Sequence, residues 1–64
     1  MTPLQIIKAD ISMHGDRQNT LEKILYDRRE MGMETIDILQ SLKETKIVIK
    51  ALQSLYFKVA TLAI

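Results

Sequence analysis

The sequence predicts an all-α protein: two short helices packed along one long C-terminal helix, a helical hairpin or three-helix bundle completed by oligomerisation. Three observations predict it. Apolar residues recur at helical spacing in three stretches. Gly15 and Gly32 stand where the first two stretches end. Nothing from Glu34 to Ala63 is Gly or Pro. The 64 residues form one small domain, with helices expected over about 3–14, 20–31 and 34–63.

The first helix opens with Thr2 as N-cap, Pro3 at the first helical position and Gln5 where a capping box places Glu or Gln. Leu4, Ile7 and Ile11 form its stripe, which Ile6, Ala9 and Met13 widen. Gly15 supplies a left-handed stop, and the polar run Gly15 to Asn19 reads as a short linker. In the second helix Asn19 is the N-cap, and Leu21, Ile24, Leu25 and Met31 follow the 3.6 period. Gly32 ends it. The third helix would span roughly 45 Å. Along it Ile38, Leu42, Thr45, Ile49, Leu52, Tyr56, Val59 and Ala63 step by four and three, as in the a/d seam of a coiled coil. Val48, Leu55 and Leu62 widen that seam.

Composition removes most functional classes. Without cysteine there is no disulfide framework and no thiolate zinc site. One histidine and two distant glycines leave no catalytic triad, metal-ligand cluster or phosphate loop. The paired carboxylates at Glu30, Glu34 and Asp37 decorate a helix start, where the macrodipole favours them. Enzymatic activity is not expected, nor is any cofactor. No apolar run reaches the roughly 20 residues of a membrane span, and no signal pattern opens the chain, so the expected location is the cytoplasm.

A chain this short buries only about 60% of its unfolded surface, which makes a lone core marginal. Small domains compensate with disulfides, metals or a partner. Here the partner is what remains. The third helix is twice as long as either short helix, and its end is apolar on nearly every side: of residues 55–64 only Lys58 and Thr61 are polar. The expected partner surface comprises Leu39, Ile47, Leu52, Leu55, Tyr56, Phe57, Val59 and Leu62, with Ile36 and Ala51 beside them. Lys43, Lys46 and Lys50 would supply electrostatic contact. Residues 38–64 carry four Lys against Glu44, a net +3, and residues 1–37 carry five basic against seven acidic groups, a net −2. Such a module would pair with itself, most simply as a dimer, and with a larger protein, as a regulator, inhibitor or adaptor. A structural subunit of a larger helical assembly is a further reading.

Two polar features need a place. Asp10 and His14, four residues apart, are expected as a polar pair at the rim of a helix interface. Arg28, within an apolar stripe, is expected to snorkel past Met31 to water or to pair with a carboxylate of the third helix.

The segment Leu25 to Leu39 resembles a bacterial helix-turn-helix, with Gly32 at the turn and Ile38 six residues on. The resemblance covers about 20 residues and implies a dimeric DNA-binding regulator. It departs from the pattern at Arg28, where a small residue is needed, and at Glu34 and Asp37, which phosphates repel.

Overall fold

Two helices make up the fold: α1, Pro3–Glu30, and α2, Ile36–Leu62. The computed structural model describes residues 1–62. The expected helix end at Ala63, and the place of Ala63 in the seam, lie outside them. With 28 and 27 residues the helices are each about 40 Å long. The molecule measures 51 × 17 × 11 Å, so they can only lie side by side, antiparallel. The radius of gyration, 15.0 Å, exceeds the roughly 11 Å of a compact domain of this length. This is a single-layer hairpin, not a bundle.

The expected break between a first and a second short helix is absent, which corrects the three-helix reading. α1 runs unbroken through Gly15 to Asn19. A helical glycine costs about 1 kcal/mol relative to alanine, which weakens a helix without ending it. Ending it takes a left-handed residue, and among the described residues only Gly32 has positive φ, at 68°. The polar side chains of the supposed linker bond within the helix. Gln18 Nε2 donates to Glu22 Oε1 at 3.2 Å, and Thr20 Oγ1 donates to the Asp16 carbonyl at 3.1 Å. Asn19, expected as an N-cap, is an ordinary exposed helical residue.

Both ends of α1 form as the sequence predicts. Thr2 Oγ1 accepts from the Gln5 N–H at 3.3 Å while Gln5 Oε1 accepts from the Thr2 N–H at 2.9 Å, a complete capping box with Pro3 behind it. At the other end the Gly32 N–H donates to the Arg29 carbonyl and the Met33 N–H to the Arg28 carbonyl, at 3.2 and 2.8 Å. That is a Schellman stop, and it needs the left-handed residue that glycine adopts without strain. The chain then reverses over five residues, and the Thr35 carbonyl accepts the first bond of α2, from Leu39, at 2.9 Å. α2 therefore begins two residues later than expected. A helix-turn-helix pair crosses at roughly 90–120°; this turn lays α2 back along α1.

One seam joins the helices. On α1 it comprises Leu4, Ile7, Ile11, His14, Gln18, Leu21, Leu25 and Arg28, every one of them buried or half-buried. Opposite, it comprises Thr35 just before α2 and Ile38, Leu42, Thr45, Ile49, Leu52, Tyr56 and Val59 on it, again with none exposed. Steps of three and four continue in phase through the length of both, the pattern of coiled-coil packing. Among the described residues only Ile7, Ile38, Leu42 and Thr45 are buried, and none of them completely. Mid-length the seam turns polar, and its polar groups satisfy themselves locally: Thr45 Oγ1 donates to the Ser41 carbonyl and His14 Nδ1 to the Asp10 carbonyl, both at 2.8 Å.

A β-carbon added at Gly15 would meet nothing within 4 Å. Gly15→Ala is therefore expected to stabilise the chain by about 1 kcal/mol, raising the thermal midpoint by roughly 4–8 °C. Circular dichroism melting checks this. A loss of stability would mean that Gly15 ends a helix.

Candidate interaction surface

The turn is pinned by one side chain. Arg28 occupies the last seam position of α1, and its Nη1 donates to both Asp37 carboxylate oxygens, at 2.8 and 3.0 Å. The same nitrogen reaches the Glu34 carbonyl at 3.4 Å. Arg28 thus pairs rather than snorkels, because the reversal brings the start of α2 over the end of α1. The pair also suits both helix dipoles, with a cation in the last turn of α1 and an anion in the first turn of α2. The hydrogen bond from Arg28, with its charge, holds the Asp37 carboxyl below the usual aspartate range. Among the described residues all side-chain hydrogen bonds joining α1 to the turn or to α2 come from this guanidinium. His14 bonds the Asp10 backbone instead of its carboxylate, so no Asp10–His14 side-chain pair forms.

Of the eight apolar residues expected to meet a partner, three lie elsewhere. Leu52, Tyr56 and Val59 are half-buried on the seam lines of Ile38, Leu42 and Thr45, so their packing holds the hairpin together. Leu39, Ile47, Leu55, Phe57 and Leu62 are exposed, Phe57 at 72% and Leu62 at 85%. The sequence reading assigned the seam to partners because it supplied no unbroken α1 to cover it. Lys43, Lys46 and Lys50 are exposed, as placed.

Beside the seam the hairpin has two broad faces of different chemistry. His14, Arg17, Ser41, Glu44, Thr45 and Val48 line one shallow depression, which puts the Arg17 flank of α1 on the same side as the Ser41–Val48 flank of α2. Helical steps from Arg17 reach Ile6, Met13, Ile24 and Met31; steps of seven from Val48 reach Leu55 and Leu62. All seven side chains are exposed. The opposite face carries Lys8, Ser12, Asn19, Glu22, Tyr26 and Arg29 on α1. On α2 it carries Ile36, Leu39 and Phe57, separated by Lys43, Lys46 and Lys50. Ile47 lies on the outer edge of α2. The sequence reading missed the apolar flank of α1. The spacing of Ile6, Met13, Ile24 and Met31 signals it once the helix is continuous.

No protein-family model, curated protein or solved structure matches this chain. Among the described residues no helix is long and apolar enough to cross a membrane. No group of three His, Cys, Asp or Glu among them could hold a metal ion.

A lowered Asp37 stabilises the fold fully at pH values above the ordinary aspartate range, and that contribution is lost as pH falls through the lowered value. Asp37→Asn is therefore expected to lower the thermal midpoint at pH 7, with the gap to wild type closing in acid. A gap unchanged down to pH 2 would show that the pair contributes nothing.

Proposed function

We propose that this chain is a non-catalytic protein–protein interaction module that docks through exposed side chains of α2. The observation that carries the reading is an imbalance of apolar surface. Among the described residues three apolar side chains are buried, Ile7, Ile38 and Leu42, while Leu39, Ile47, Leu55, Phe57 and Leu62 stand open on α2 alone. Large aliphatic and aromatic side chains of this kind carry most of the energy of helix-in-groove docking. Lys43, Lys46 and Lys50 would draw in an acidic surface before the apolar groups engage. A role as small regulator, inhibitor or adaptor follows from docking without chemistry.

Photo-cross-linking in the native host tests the reading, with a photoreactive residue replacing Leu55 or Phe57 in turn. The expected result is an adduct of one defined mass, between this chain and a second protein or a second copy, from at least one position. Leu55→Asp or Phe57→Asp should deplete it. Absence of any discrete adduct from both positions overturns the proposal, and cross-links to nucleic acid would replace it with DNA or RNA binding.

A further inference from the structure

We propose that the apolar face carrying Met13, Ile24, Val48 and Leu55 is a pairing surface for a second copy of this chain. Two hairpins would join through it into a two-layer, four-helix bundle. The proposal rests on the interaction-module reading and names both the face and its occupant.

The first argument is area. A folded monomer of 7.4 kDa is expected to expose about 4,200 Å². This chain exposes 5190 Å², about 1,000 Å² more than that expectation. A stable protein interface removes roughly 800 Å² from each partner. The surplus is thus about what one dimer contact hides.

The second argument is shape. A hairpin one layer thick cannot enclose side chains that flank its seam, and helical domains close their cores with a second layer. Another copy offers a surface of the same length and width, so face-to-face pairing leaves neither hairpin overhanging. The third argument is charge. On this face Asp37 is held by Arg28, Arg17 and Glu44 line one depression at mid-length, and exposed Asp10 lies seven residues before Arg17. The apolar flank therefore meets no lysine until Lys58 near its end. On the other face three lysines break up Ile36, Leu39 and Phe57, and like charges would oppose each other in a symmetric contact.

Sedimentation equilibrium of the purified chain decides the matter. Wild type is expected as a dimer at concentrations up to about 0.5 mM, with a dissociation constant that Met13→Glu and Leu55→Glu each raise by about tenfold or more. Ile47→Glu and Phe57→Glu should change it by less than about twofold. All four positions are exposed in the single hairpin, so circular dichroism should report full helix content in each variant. A monomeric wild type throughout that range overturns the proposal, as do equal effects from the two pairs of variants or growth into open polymers. A monomer that still gives the cross-linked adduct with another protein would refute self-pairing alone and leave the module reading standing.

Discussion

The seam between α1 and α2 is the constraint on which everything else depends. Every residue of α1 that water reaches poorly lies on it or beside it, at Gly15. Such a seam is a line, not a core. It buries Ile7, Ile38 and Leu42 and covers the remaining apolar seam residues in part. The rest of a chain with 47% hydrophobic residues must lie on the flanks. Exposed apolar surface is therefore a geometric consequence of folding 64 residues into two helices of equal length.

Polar residues set where this seam is strong. His14, Gln18 and Thr45 interrupt it mid-length, and each bonds within its own helix. They add little attraction between the helices. The turn compensates at one end, where Arg28 serves twice: its carbonyl closes the Schellman stop and its guanidinium clamps Asp37. Helix direction and alignment are fixed there, so the weaker middle need only follow.

Much of this was legible in the sequence, and the failures share one cause. The capping box at Thr2, Pro3 and Gln5, the stop at Gly32 and the α2 seam are local signals that tertiary packing leaves intact. The continuity of α1 is not local. Gly15 beside Asp16, Arg17, Gln18 and Asn19 has the composition of a linker, and His14 and Gln18 sit at seam positions where apolar residues mark a helix. Only the phase across the gap, from Ile11 through His14 and Gln18 to Leu21, shows the helix carrying on. Missing it halved the length of α1, left the end of α2 uncovered, and so gave Leu52, Tyr56 and Val59 a partner as well as a place in the seam. Arg28 was expected either to snorkel or to pair with a carboxylate of the following helix, and the direction of the turn, which composition does not encode, decides for Asp37.

The proposed docking role follows from what the seam leaves over. The two faces of the hairpin differ, one carrying Met13, Ile24, Val48 and Leu55 with acidic and arginine side chains between them, the other divided by Lys43, Lys46 and Lys50. Solvent paramagnetic relaxation of side-chain methyl groups, recorded on dilute and on concentrated protein, tests that distinction most directly. The account predicts that Ile38 and Leu42 are shielded at every concentration. The methyls of Met13, Val48 and Leu55 should become shielded only as concentration rises, while Ile47 stays open to the probe. Shielding of Ile47 with Met13 and Leu55 left open, or no change with concentration at any of these methyls, would contradict it.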